Sequence, residues 1–244
     1  MAGVGVANVV VTGAAQGIGR AVAETLARRP GTSLLLADIQ SEKVADVAGH
    51  IGVQSVAVDI ADPDSCRAMV AAAVENLGGL DAVVQVAGLD APPGTALTTG
   101  DDLWRRVIDV DLSGPWWVAK AAADHMVGHG GGRIVIISSA SAYVASDGTT
   151  PAYHAAKAGL HGLVVALAQQ LEARGILVNA IAPGAIGTGQ PMTREEIDQI
   201  EAMFPLGIVG PQPVADMVEY LLGPGGDWIS GAVLNVSGGM HKGR

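Results

Sequence analysis

Tyr153 and Lys157 stand four positions apart in the segment PAYHAAK (residues 151–157), in a chain with only three tyrosines. Four residues make about one helical turn, so on a helix both side chains leave the same face. A free phenol ionises near pH ~10 and is a poor base at neutrality. An ammonium one turn away favours the phenolate and brings its ionisation closer to working pH. Such a pair can move a proton to or from a substrate oxygen. An isolated pair of this kind is equally a surface pair, with the lysine stem lying along apolar neighbours, so the surroundings decide.

The segment VVVTGAAQGIGRAV (residues 9–22) offers a second chemistry, with Gly13, Gly17 and Gly19 spaced G-x-x-x-G-x-G. Gly13 permits a tight turn, Gly17 lets the backbone approach a pyrophosphate, and Gly19 lets the next helix pack closely on its strand. The N-terminus of that helix then presents free N–H groups and a favourable dipole to the phosphates. Gln16 and Ile18, inside the loop, belong to the same candidate cofactor set. Asp38 ends the next apolar run, 19 residues after Gly19. A carboxylate at that spacing accepts hydrogen bonds from the adenosine ribose and repels a 2′-phosphate. Gln16 and Ile39 supply no opposing cation, and Arg20 is expected to point along its helix. The expected cofactor is NAD(H) rather than NADP(H). The competing role for Asp38 is a turn or cap ahead of Ser41.

These residues need a frame. Residues 6–12, 32–38, 53–59, 80–88, 132–139, 176–182 and 232–236 read as seven strands. Most are near-continuous runs rich in Val, Ile and Leu, as in parallel sheets covered on both faces. Ile18–Arg29, Ser41–Gly49, Pro63–Leu77, Leu103–Val127, Ala152–Arg174 and Pro213–Leu222 read as helices. The alternation predicts one domain over residues 1–244. It is a Rossmann-type, doubly wound α/β sheet of about seven parallel strands with helices on both faces. The irregular stretch at about 184–211 is a candidate substrate lid.

With 49% hydrophobic and 16% charged residues, the 244-residue chain can bury a large core and is not disordered. The net charge of -10, without a basic block, argues against nucleic acid as a partner. No apolar run reaches the ~18 residues of a membrane span. The apolar N-terminus lacks a basic region and runs into the glycine loop, so it reads as a strand and not a targeting segment. The lone cysteine, Cys66, excludes an internal disulfide and points to the cytoplasm. It is expected on a surface helix, without a nucleophilic role. His125, His129, His154, His161 and His241 do not combine with carboxylates at ligand spacing, so no metal is expected. His154 is expected to face away from Tyr153, because adjacent helix positions diverge by about 100°.

TGAAQGIG (12–19), Asp38, VDI (58–60), VAG (86–88), ISS (137–139), YHAAK (153–157), NAIAPGAIGT (179–188) and SGG (237–239) follow one another in order. Together, and nearly end to end, they resemble the short-chain dehydrogenase/reductase family. The resemblance implies an oxidoreductase acting on a secondary alcohol or its ketone. Tyr153 is then the general acid/base, Lys157 stabilises its phenolate and holds the nicotinamide ribose, and Ser139 polarises the substrate oxygen. Asp59 and Ile60 flank the adenine, and Ala87 and Gly88 pass close to the adenosine ribose. Pro183, Gly184, Ile186 and Thr188 meet the nicotinamide. Ser141 and Ala185 join Ser139 and Tyr153 around the substrate. Leu89, Asp90, Tyr143, Asp147 and the lid residues Gln190, Met192 and Phe204 are further candidates. The resemblance also implies a homotetramer (or homodimer).

Three departures stand out. The 14-residue gap from Ser139 to Tyr153 is one longer than usual in the family and leaves Ser138, Ser139 and Ser141 in contention, with Ser139 preferred. Gln85-Val86 stands where two asparagines are usual, and Asp111 where an asparagine serves a proton relay reaching the lysine. Asp111 either joins that relay or turns to solvent. Two other readings follow. One is an NADPH-dependent 3-ketoacyl or polyketide-type reductase, opposed by Asp38. The other is a non-catalytic dinucleotide-binding protein, opposed by the intact Ser139, Tyr153 and Lys157.

Overall fold

The computed structural model describes residues 6–187, 193, 194, 197, 198 and 204–242. The apolar runs become β1 (Asn8–Thr12), β2 (Ser33–Asp38), β3 (Gln54–Ala57), β4 (Ala82–Gln85), β5 (Gly132–Ile137), β6 (Ile176–Pro183) and β7 (Val233–Val236). All seven pair in parallel in the order β3-β2-β1-β4-β5-β6-β7, the expected Rossmann-type sheet. Strand order reverses between β1 and β4, and α/β sheets hold ligands beyond the carboxyl ends of the strands at such a point.

Alternate residues of each strand face opposite sides. Val10 packs with Leu35, Val83, Ile134 and Ile136 beneath α3 (Pro63–Leu77), α5 (Gly114–Met126) and α6 (Pro151–Leu171). Val9 and Val11 pack with Leu34, Leu36, Val84 and Val135 beneath α1 (Gly17–Ala27), α2 (Ser41–Ile51) and α7 (Gln212–Leu222). Cys66 belongs to the first of these layers, which corrects its expected place at the surface. Burial, with Asp62 and Asp59 adding repulsion, pushes its thiol up to about 12, so it is inert near neutrality.

The helix expected over 103–127 is interrupted. It begins as α4 (Asp101–Ile108), widens into a π-helical segment at Asp109–Ser113, and resumes as α5. The Gly114 N–H reaches back five residues to the Asp109 carbonyl. One local fact and one long-range contact account for the widening. Pro115 has no N–H to give the Asp111 carbonyl. Gly114 also presses on Ile60 so closely that a Cβ there would lie 2.9 Å from Cδ1. The wide turn leaves Asp111 at 0% exposure while Asp109 stays at the surface. Such π segments recur at functional sites.

Candidate active site

The glycine loop walls the crevice where strand order reverses. Gly13 has φ +65°, and a Cβ there would lie 2.7 Å from the Ala87 nitrogen. At Gly19 a Cβ would lie 2.0 Å from the Gly13 carbonyl oxygen. Neither place admits a side chain. Gly17 is different: φ is +55°, but nothing lies within 4 Å of a Cβ built there. The first turn of α1 thus faces open space, with Gln16 extended and exposed at its cap and Ile18 packed against the α1-side core. This cradle fits a dinucleotide pyrophosphate.

Asp38 is buried, and both of its oxygens are engaged. Oδ2 accepts from the Ala15 N–H at 3.0 Å, and Oδ1 accepts from the Gln40 N–H at 2.9 Å. It is therefore both a partner of the glycine loop and the turn residue before α2. Arg20 lies along α1, paired with Glu24 at 2.7 Å.

A buried network crosses the switch point. Thr12 donates its hydroxyl to Gln85 Oε1 and accepts from the N–H groups of Val86 (3.1 Å) and Ala87 (3.2 Å). Gln85 Nε2 in turn donates to the Ala87 carbonyl at 2.8 Å. Glutamine thus holds Ala87 against Gly13, and Val86 needs no polar side chain because it packs against the core. Gly88 leads to the other end of the crevice, where a Cβ on it would lie 2.6 Å from Asp111 Oδ1 and 3.4 Å from Lys157 Nζ.

Tyr153 and Lys157 reach that end from α6. Thr150 caps this helix by accepting from the Ala152 N–H, and Pro151 opens its first turn. Tyr153 is 9% exposed and Lys157 5%. The Lys157 ammonium lies 5.4 Å from the centre of the Tyr153 ring and 3.4 Å from Asp111 Oδ1. That same oxygen accepts from the Leu89 N–H at 2.9 Å, while Asp111 Oδ2 is buried without a partner. Burial pushes the Asp111 carboxyl up, and Lys157 and the Leu89 N–H only partly oppose this. The solvent-facing orientation is thereby excluded.

The hydrogen bonds set Ser138 apart from the other two serines. Ser138 donates to the Lys157 carbonyl at 3.2 Å and meets His161 Nε2 at 2.9 Å, so it is committed to the back of α6. Ser139 accepts from the Ser141 N–H at 3.0 Å and makes no further side-chain bond among the described residues. Its O–H is left free to donate. The Ser141 carbonyl accepts from His154 Nδ1 at 2.8 Å. His154, expected to face elsewhere, buttresses this loop with its ring edge-on to Tyr153 at 6.5 Å.

The remaining candidates are less uniform. Asp59 is exposed and accepts from the Ala61 N–H. It shares an open groove of about 420 Å³ with Ile39, Arg105, Arg106 and Val110. Ile60 is buried under Gly114. Pro183 ends β6, and Gly184 is packed against Ser237 and Phe204. Ala185 and Ile186 are half-buried, and Ile186 pairs with Val209. Thr188, Gln190 and Met192 lie outside the described residues.

Some participants escaped the sequence reading. Thr12 could have been noticed as the polar residue closing an apolar strand. The stack of Tyr143 on His241 (4.0 Å), which ties the C-terminal segment to the Ser139 loop, carried no local signal. Among the described residues, no group of three or more His, Cys, Asp or Glu gathers to hold a metal.

A family model of the short-chain dehydrogenase/reductase type, described as enoyl-(acyl carrier protein) reductase, matches residues 13–241. The chain belongs to the short-chain dehydrogenase/reductase family. Within this family it is 37% identical over 242 residues to an uncharacterized oxidoreductase of Mycobacterium tuberculosis, covering 95% of this chain and 96% of that one. It is 36% identical over 241 residues to a cis-4-hydroxycyclohexanecarboxylate dehydrogenase of Sinomonas cyclohexanicum, covering 94% of each. It is 34% identical over 239 residues to the 3-oxoacyl-[acyl-carrier-protein] reductase of Escherichia coli, covering 95% and 96%. The crystal structure of gox2181 superposes with a TM-score of 0.89 at 29% identity, over 98% of this chain and 96% of that one. The protein is therefore an oxidoreductase of this family.

Proposed function

We propose that the protein transfers a hydride between NAD(H) and a secondary alcohol or its ketone. The observation that carries this reading is the buried pairing of Tyr153 and Lys157 on one face of α6, against Gly88 at the switch point. Tyr153 takes the alcohol proton during oxidation and returns it to the carbonyl oxygen during reduction. Ser139 donates a hydrogen bond to the same oxygen. The Lys157 ammonium stabilises the phenolate and holds the nicotinamide ribose, and Asp111 fixes the ammonium in place. When bound, the nicotinamide supplies the hydride acceptor or donor.

Gly13, Gln16, Gly17, Ile18 and Gly19 hold the pyrophosphate through their backbone. Asp38 receives the adenosine ribose, with lone pairs left on both carboxylate oxygens. Asp59, Ile60, Ala87 and Gly88 border the adenosine. Pro183, Gly184, Ile186 and Thr188 border the nicotinamide, and Ser141 and Ala185 line the substrate side. The exposed α6 face bearing Ala155, Ala158, Gly162 and Val165, together with the fully exposed Trp228, supports a homotetramer or homodimer. No helix among the described residues is long and apolar enough to cross a membrane. The single buried cysteine supports a cytoplasmic setting.

One observation favours a second reading, an NADPH-dependent 3-ketoacyl-type reductase. Arg105 and Arg106 line the groove beside Ile39 and Asp59, at the adenosine end. Arg105 is paired with Asp101 and Asp102, which weakens its claim on a phosphate. Titration with NADH and with NADPH, followed by quenching of the four tryptophans, separates the two readings. NADH binding about tenfold tighter or more supports Asp38 as selector and directs a screen of secondary alcohols with NAD+. Tighter NADPH binding overturns the NAD(H) reading in favour of the reductase, and binding of neither contradicts both.

A further inference from the structure

The acid–base end of the crevice holds one buried cation between a phenol ring and a buried carboxylate. Lys157 Nζ faces the Tyr153 ring at 5.4 Å and Asp111 Oδ1 at 3.4 Å. Asp111 is 0% exposed, so its charge is poorly screened there. Its Oδ2 has neither a protein partner nor solvent, so no second donor disperses the charge. The other charged group acting on it is Asp90 on the loop after β4, while Asp109 on its own segment is exposed.

We propose that Asp111 is a positioning residue that sets the working pH of the enzyme. Its charge cancels part of the Lys157 field at Tyr153, so the phenolate forms at higher pH than Lys157 alone would allow. The inference rests on the acid–base role proposed above for Tyr153. The effect runs through the shared cation: the carboxylate 3.4 Å from Lys157 Nζ offsets the ammonium that stabilises the phenolate. Because burial pushes Asp111 up, it sheds its proton at a higher pH than an ordinary carboxyl, and the restraint on Tyr153 is released as pH falls below that point.

The test requires no substrate. The Tyr153 phenolate is followed by its ultraviolet absorbance, isolated as the difference between each protein and its Tyr153→Phe counterpart, with NAD+ bound. In Asp111→Asn, nearly isosteric and neutral, the phenolate is expected to appear about one pH unit lower than in the wild type, tenfold in the ionisation constant. Asp111→Ser, neutral but smaller, is expected to move with it, and guards against a fold defect peculiar to one variant. With any alcohol that is turned over, the ascending limb of kcat/KM moves to lower pH by the same amount. A phenolate that appears at the same or higher pH in both variants overturns the proposal, leaving Asp111 a purely structural or proton-carrying group. The two roles fail separately. An active Tyr153→Phe removes the acid–base reading, whereas an unmoved phenolate with Tyr153→Phe inactive removes only the tuning by Asp111.

Discussion

The two ends of the crevice are built from opposite materials. At the cofactor end, with Asp38, Thr12 and Gln85 as side-chain ties, the shape comes mainly from backbone and from missing Cβ atoms: Gly13 against Ala87, Gly19 against Gly13, and open space before Gly17. At the acid–base end it comes from buried, charged side chains: Lys157, Asp111 and the phenol of Tyr153. Shape is indifferent to pH, whereas buried charge is not. Substitutions at the first end should therefore act on folding and binding, and substitutions at the second on rate and its pH dependence.

The most damaging way to break the cofactor end is Gly19→Ala. A Cβ at 2.0 Å from a backbone carbonyl cannot be relieved by a rotamer change, so α1 must lift from its strand. A loss of about 3 kcal/mol is expected, read from the urea midpoint at unchanged slope, together with loss of NADH binding. Gly17→Ala sharpens the point. Its φ of +55° costs about 1–2 kcal/mol in strain, but no atom stands in the way. The protein should stay folded, with NADH affinity falling about tenfold as the methyl intrudes on the pyrophosphate.

Asp38→Asn removes the charge while keeping an acceptor. The NADH-to-NADPH affinity ratio should move toward NADPH by about tenfold, a difference of about 1.4 kcal/mol. An unchanged ratio would restrict Asp38 to its role as a turn residue.

The smallest effect concerns the back of α6. Ser138 gives its proton to the Lys157 carbonyl, so His161 Nε2 donates to Ser138. Burial, then the nearby His241, hold His161 below the ordinary histidine range. The native state consequently binds fewer protons than the unfolded chain below pH ~6.5, and stability falls as pH drops through that range. His161→Gln should remove a few tenths of a kcal/mol of this acid-side loss, small because the ring is partly solvated. Urea midpoints at neutral and mildly acidic pH compare the two proteins.

The contrast between the ends also explains what could be read in advance. The strands were legible because Val-, Ile- and Leu-rich runs leave little choice in a sheet covered on both faces. The bounds Pro63–Leu77 were legible because Asp62 caps α3 and Pro63 opens it. Glycine spacing announced the tight loop ahead of α1, because a missing side chain is visible in sequence. The π segment was not legible, since it depends on Gly114 meeting Ile60, more than 50 positions away. For the same reason the burial of Asp111 and Cys66 and the inward turn of His154 were hidden. Each depends on which face of a helix meets another element, and composition does not record that. The choice among Ser138, Ser139 and Ser141 needed the hydrogen bonds that commit Ser138 elsewhere.

The separation of binding from chemistry is the central claim, and Tyr153→Phe tests it most directly. NADH titration and alcohol turnover would be measured side by side on the wild type and the variant. An unchanged Kd with turnover lowered by about 10³-fold is expected if the cradle holds the cofactor and Tyr153 only moves the proton. Retained turnover, or cofactor binding lost along with it, would contradict the account.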